Sequence, residues 1–124
     1  MKHRAIDILR SVARNTFDSL PRDARIVLNG CKVHLGNLGH TDTGCKVEGL
    51  ARDDGRVVVL DAETVVTHAK DEGYLETLLA HELAHCYRAL CGESAAVGTE
   101  AEERGARQVT KSWGFRPPRE ETNG

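Results

Sequence analysis

The segment from Tyr74 to Leu90 constrains the fold of this chain more than any other. Its apolar side chains recur every three to four residues, and glycines stand just before and just after it, so the pattern predicts a long amphipathic helix. One broad apolar face results from this spacing, formed by Leu75, Leu79, Leu83, Cys86 and Leu90. A helix with such a face has to pack on a core that the remainder of the chain supplies.

The other segments predict a small sheet between helices. "AIDILRSVARNTF" predicts a helix that ends before Pro21, with its apolar face formed by Ile6, Leu9, Ala13 and Phe17. "ARIVLNG", "CKVHLG", "CKVEGLA" and "GRVVVLD" predict strands, and Asp-Gly in "ARDDGRV" predicts a hairpin turn. "AETVVTHAK" predicts a short helix, and "TEAEERGARQVTKSW" predicts a last helix with Thr99 as its N-cap. We therefore expect an α+β fold, a small antiparallel or mixed sheet with helices packed on one face.

Composition limits the classes of protein to which the chain can belong. Its 124 residues, of which 40% are hydrophobic and 29% charged, suit one globular domain, which we assign to residues 1–115. Residues 116–124 contain two prolines and no core residues, so we expect a flexible tail. The first residues contain charges at short intervals and no apolar segment typical of a secretory leader, and no apolar run approaches the length of a membrane span. We therefore expect a cytoplasmic protein without a membrane partner. A net charge of -2 and 4% aromatic residues argue against a nucleic-acid partner, and no pattern decides the oligomeric state.

The sequence H-E-L-A-H at positions 81–85 contains the candidate metal-binding and catalytic residues. His81 and His85 are one helical turn apart, so both imidazoles can bind the same zinc ion. Glu82 is rotated by about 100° from His81, which lets its carboxylate reach a water on the metal without being a ligand. The motif therefore predicts two zinc ligands and a general base that activates water. His68, Tyr87 or Arg88 could stabilise the resulting oxyanion if they reach the site.

A catalytic zinc ion usually has three protein ligands, and the sequence leaves the third one open. No histidine follows His85, so the third ligand cannot be a later histidine. Cys91 is one candidate, although thiolates are more typical of structural zinc. The carboxylates around the last predicted helix are the better candidates: Glu93, Glu100, Glu102 and Glu103. Helical spacing places Glu100 and Glu103 on one side of that helix and Glu102 on another.

"HELAH" followed by a helix that contains "ERGA" resembles the gluzincin branch of the zincin metallopeptidases. In that branch the third ligand is the glutamate of the pattern E-x-x-A-[DN], so the resemblance implies that Glu103 binds zinc with His81 and His85. Arg107 stands where the family has Asp or Asn, which removes the group that would orient a ligating histidine. The resemblance covers residues 55–115, about half of the chain. In style it is similar to small phage-encoded zincins and to the ImmA/IrrE group, which cleave regulatory proteins.

The resemblance implies a zinc metallopeptidase whose substrate is a peptide or a protein. In zincins the strand before the active-site helix lies at the edge of the sheet and pairs with the extended substrate, so we expect this role for Arg56–Asp61. The alternative is a zincin-fold binding or regulatory module, catalytically weak or inactive, that acts on a partner protein. The small size of the chain favours this alternative, whereas the intact Glu82 favours the enzyme.

A second set of possible ligands has the pattern C-x2-H-x5-H-x4-C, formed by Cys31, His34, His40 and Cys45. Four such ligands within a short segment could hold a structural zinc ion. This spacing does not match any zinc-knuckle pattern that can be justified physically. We therefore expect a hairpin whose thiols are buried and whose histidines face the solvent. The sequence therefore predicts one catalytic zinc ion and no second one.

Overall fold

Residues 2–116, which the computed structural model describes, form helices at both ends and a small sheet between them. The elements are α1 (Lys2–Ser19), α2 (Arg22–Val27), β1 (Lys32–Gly36), β2 (Gly49–Arg52), a 3-10 turn (Asp53–Gly55), β3 (Val57–Asp61), α3 (Ala62–Thr67), α4 (Glu72–Leu90) and α5 (Glu100–Ser112). This arrangement confirms the predicted α+β class. The expected tail lies outside the described residues except for its first residue, so its flexibility stays a prediction.

The sheet is mixed and has the strand order β1-β3-β2. Strand β3 pairs in parallel with β1 and antiparallel with β2. The link between β2 and β3 is the predicted hairpin turn, in which Asp53, Asp54 and Gly55 have φ angles of 54°, 57° and 92°. Gly55 is required there, because a side chain would be strained at this φ angle and its Cβ would lie 2.8 Å from the carbonyl oxygen of Cys86.

The prediction that Arg56–Asp61 is an edge strand is wrong, because β3 is the central strand. The apolar run explains its place. Val58, Val59 and Leu60 are all buried, so β3 is covered on both faces, as a central strand usually is. Within the described residues, the two edges of the sheet belong to β1 and β2.

The core lies between the sheet and the two long helices. Leu75, Leu79 and Leu83 of α4 are fully buried against a cluster that includes Val58 and Leu60 of β3. This confirms the predicted apolar face of α4 except at Leu90, whose exposed fraction is 37% because it lies in the last turn. Helix α1 adds Ala5, Leu9 and Val12, but the predicted Ile6 is exposed. The buried face of α1 is therefore rotated by one residue from the predicted one.

The segment "ARIVLNG" forms most of α2 and not the predicted strand. Ala24 and Leu28 are buried, whereas Ile26 between them has an exposed fraction of 64%. A strand would bury every second residue, but here the buried residues are four apart, which is the spacing of a helix. Pro21 directly precedes α2, where its missing N–H costs nothing. The segment "CKVEGLA" is a strand only from Gly49 onward.

Asp61 holds the long connection between β1 and β2 against the end of β3. Its buried carboxylate accepts hydrogen bonds from the backbone N–H of Leu38 (3.0 Å) and from both the N–H and the hydroxyl of Thr64 (3.0 Å each). It also pairs with Lys46, whose Nζ lies 3.1 Å from Oδ2. Burial would raise the pKa of Asp61, but these donors together lower it.

No helix within residues 2–116 is both long and apolar enough to cross a membrane. The cytoplasmic location stays a prediction.

We predict that Asp61→Ala lowers the free energy of unfolding by about 3 kcal/mol, because it leaves buried donors without an acceptor. Glu63→Ala is the matched control: its 74% exposed carboxylate contacts the same Lys46, and its loss costs less than about 1 kcal/mol. Urea unfolding measures both.

Since the pKa of Asp61 is lowered in the folded state, its contribution to the free energy of unfolding is present above about pH 4 and is lost as the pH falls through the folded pKa. Equal losses in the two variants would contradict this role of Asp61.

Candidate metal centre

Helices α4 and α5 carry the candidate site, and capping residues fix where each begins. The Asp71 side chain accepts a hydrogen bond from the N–H of Tyr74, and the Thr99 side chain accepts one from the N–H of Glu102. The second contact confirms Thr99 as the predicted N-cap. The first turn of α5 therefore starts at a defined residue, and its glutamates Glu102 and Glu103 face the histidines of α4.

His81 and His85 meet the carboxylate of Glu103 with their Nε2 atoms. The two rings are edge to face, with centroids 4.8 Å apart. Oε1 of Glu103 lies 3.0 Å from Nε2 of His81, and Oε2 lies 3.2 Å from Nε2 of His85. The potential ligand atoms of the three residues all lie within 4.8 Å of one another. Two imidazoles and one carboxylate are a donor set that suits a catalytic zinc ion, so these residues fit the metal that the sequence predicts.

The alternative third ligands are placed elsewhere. Glu100 is 83% exposed and pairs with Arg104. Cys91 is exposed at the C-cap of α4, and Glu93 is exposed in the loop that follows. The structure thus brings Glu103, and none of these three, to both histidines.

Glu102 has a role that the sequence did not reveal. It lies on a different side of α5 from Glu103, as predicted, but that side still reaches His85. Its buried carboxylate accepts from Nδ1 of His85 (2.7 Å), Nε of Arg88 (3.2 Å) and the N–H of Ala95 (2.8 Å). Adjacent glutamates therefore contact both ring nitrogens of His85. One sequence feature could have indicated this contact: two consecutive glutamates, Glu102 and Glu103, lie in the first turn of the helix that follows the two histidines.

Gly105 and Arg88 complete this arrangement. A Cβ at position 105 would collide with the guanidinium group of Arg88. The glycine therefore leaves room for Arg88 to lie against α5, where its NH2 group is 3.1 Å from Oε1 of Glu102. The positive charge of Arg88 balances the buried charge of Glu102.

His81 has fewer hydrogen-bond partners on its ring nitrogens than His85. Its Nδ1 atom is buried and has no hydrogen-bond partner within the described residues.

The charges of the site are strongly coupled. Burial would lower the pKa of His85, but the hydrogen bonds to Glu103 and Glu102 and the charge of Glu82 raise it to about 9. The hydrogen bonds from His81 and His85 lower the pKa of Glu103 well below its usual range. The site thus keeps Glu103 ionised, as a ligand must be.

Glu82 lies beside this group and is only 8% exposed. Burial raises the pKa of Glu82, and the neighbouring charges of His81 and His85 partly offset this. A raised pKa makes a carboxylate a better proton acceptor. Strand β2 runs directly past it: a Cβ at Gly49 would lie 3.1 Å from Cγ of Glu82. Glu82 therefore stands between the candidate metal ligands and one edge of the sheet.

The three candidate oxyanion donors are engaged with other groups. The His68 ring stacks on Tyr74 with centroids 4.3 Å apart. Tyr87 donates to Asp23 and packs edge to face on Trp113. Arg88 is bound to Glu102, as described above. The role predicted for them stays without structural support.

The Cys/His segment does not form a second ligand group. Residues 2–116 contain one group of three or more candidate ligands, and it is the one on α4 and α5. Of the four residues of this segment, Cys45, His34 and His40 are exposed and Cys31 is half-buried. The expected solvent-facing histidines are confirmed, whereas the expected burial of the thiols is wrong at Cys45 and only partly met at Cys31.

Comparison with known proteins gives no relative: no protein-family model, no curated protein and no solved structure matches the chain. The resemblance to gluzincins therefore depends on the residues of "HELAH" and "ERGA", and its functional content is a proposal.

We predict that Glu102→Gln weakens zinc binding by about 10-fold, because the orienting charge on Nδ1 of His85 is lost. Competition with a chromogenic chelator measures the affinity. Glu100→Gln is the matched control in the same turn of α5 and leaves the affinity unchanged. Equal affinities for Glu102→Gln and wild type would show that Glu102 has no such role.

Proposed function

We propose that the chain is a zinc-dependent peptidase in which His81, His85 and Glu103 bind the metal and Glu82 transfers protons. The convergence of both Nε2 atoms on one carboxylate supports this proposal most strongly. A set of three protein ligands leaves a position for water or substrate, which is typical of catalytic rather than structural zinc.

In the proposed reaction, the metal and the protein side chains have different roles. Zinc, when bound, polarises the substrate carbonyl and lowers the pKa of the attacking water. Glu82 accepts the proton of that water and then delivers it to the leaving amine. Its burial supports this role, because the raised pKa brings the carboxylate closer to the value that suits proton transfer near neutral pH.

The other residues hold the ligands in place. Glu102 fixes the ring of His85 through Nδ1, so that Nε2 stays directed at the metal. Arg88 holds Glu102 in turn, and Gly105 gives Arg88 its space. These three residues act through His85 and do not touch the substrate.

A peptide substrate fits the edge of β2 better than β3, which has partners on both sides. Strand β2 pairs with β3 on one side, and no described strand covers its other side. An extended peptide that added to this edge would lie next to Glu82, because Gly49 brings the strand close to it. We therefore transfer the expected substrate pairing from Arg56–Asp61 to Gly49–Arg52.

One observation favours the alternative, a zincin-like binding module with weak or no turnover. The described contacts of His68, Tyr87 and Arg88 are with other groups, and none of these contacts directs a donor towards the proposed reaction centre. Loss of such a donor typically costs about 10²–10³ in rate. In this second function the metal site would hold a partner's carboxylate or carbonyl without hydrolysis.

We predict that Glu82→Gln keeps zinc affinity but lowers peptide hydrolysis by at least about 100-fold, because the amide cannot accept the proton. A quenched-fluorescence peptide library measures hydrolysis, and calorimetry measures zinc binding. Glu76→Gln, on the same helix, is the control and keeps full activity. Hydrolysis by Glu82→Gln at the wild-type rate would refute the mechanism. If the wild-type protein binds zinc but cleaves no peptide, the result would support the second function, a zincin-like binding module.

A further inference from the structure

Two thiols from distant parts of the chain meet beneath the hairpin turn. Cys86 is fully buried in α4, and Cys31 is half-buried directly before β1. The two thiols are hydrogen-bond partners, and burial raises the pKa of both, that of Cys86 to about 12. Both residues also pack on Gly55: the thiol of Cys31 donates to its carbonyl oxygen (3.1 Å), and the backbone of Cys86 lies against its Cα.

We propose that Cys31 and Cys86 form a thiol–disulfide modification site, in which oxidation links the start of β1 to α4. The proposal is independent of the peptidase function, since neither thiol belongs to the candidate metal centre. Both cysteines are free in this structure, so both thiols are available for the proposed bond. A disulfide needs Cβ atoms about 3.5–4.5 Å apart, and the thiols of Cys31 and Cys86 already lie within hydrogen-bonding reach of each other.

The oxidant that the proposal requires is a small disulfide such as oxidised glutathione. Cys31 is the more exposed thiol, so it gives its proton to solvent and attacks one sulfur of the oxidant, which releases the first glutathione thiol. Cys86 then gives up its proton and attacks the Cys31 sulfur, which releases the second. Two protein thiols and one oxidised glutathione thus yield one protein disulfide and two reduced glutathione molecules.

The bond would close a loop that contains the whole sheet. Strands β1 to β3, α3 and most of α4 lie between Cys31 and Cys86, and Glu82 and His85 lie just before its second end. A cross-link over a long loop restricts the unfolded chain more than the folded one. Oxidation is therefore expected to stabilise the elements that carry the candidate site without displacing them.

The test uses the full chain with Cys45→Ser and Cys91→Ser, which removes the two exposed thiols and leaves the pair intact. The native protein is incubated with oxidised glutathione and analysed by intact mass and peptide mapping. We expect a product that has lost two hydrogen atoms, with Cys31 linked to Cys86, and a rise in Tm of about 10 °C that dithiothreitol reverses.

Two further variants in this background separate the steps. With Cys86→Ser the reaction stops at one glutathione adduct on Cys31, and with Cys31→Ser the native protein forms no adduct, because Cys86 is buried. Circular dichroism checks that both variants are folded. A stable glutathione adduct on Cys31 in the parent background, or no reaction of the native protein under conditions in which the unfolded chain reacts, would overturn the proposal.

Discussion

The contact between the first turn of α5 and the histidines of α4 is the interaction on which the candidate site depends. Glu102 and Glu103 are consecutive, and a rotation of about 100° directs one carboxylate to Nδ1 of His85 and the other to its Nε2. Glu103 also reaches His81, so a single side chain joins both histidines. These groups hold one another as ion pairs. In the proposed zinc complex the same groups would present two nitrogens and one carboxylate oxygen to the ion, and this structure already brings those candidate ligands together.

The sheet places the proposed general base beside this group. The fully buried leucines of α4 fix the helix on β3, and the turn at Gly55 brings β2 back along the same helix. Gly49 lets β2 approach the side chain of Glu82 closely. The open edge of β2 and the buried carboxylate thus become neighbours because both pack on α4. The position of the strand, rather than an additional lobe, is what could hold a substrate near the candidate metal ligands.

The elements with strong local signals could be predicted from the sequence. Helix α4, most of its apolar face, the Asp-Gly turn and the Thr99 cap depend on spacing and on single residues, and the structure contains them. Helix α4 begins at Glu72, two residues before the predicted start, and therefore includes Gly73. Strand order depends on long-range pairing, so the central position of β3 could not be read from "VVVL" alone. Helix α2 was mistaken for a strand because Ile26 and Val27 favour strands, while the burial of Ala24 and Leu28 depends on the tertiary fold. The sequence offered Glu102 only as a candidate third ligand; its contact with Nδ1 of His85 depends on how α5 packs on α4 and could not be predicted.

X-ray absorption at the zinc edge, on protein loaded with one equivalent of the metal, tests the central claim most directly. The account predicts one tightly held zinc ion whose nearest neighbours are nitrogen and oxygen at about 2.0–2.1 Å, from His81, His85 and Glu103. A protein that takes up no zinc would contradict it. So would a shell of sulfur at about 2.3 Å, because it would place the metal at the cysteines instead.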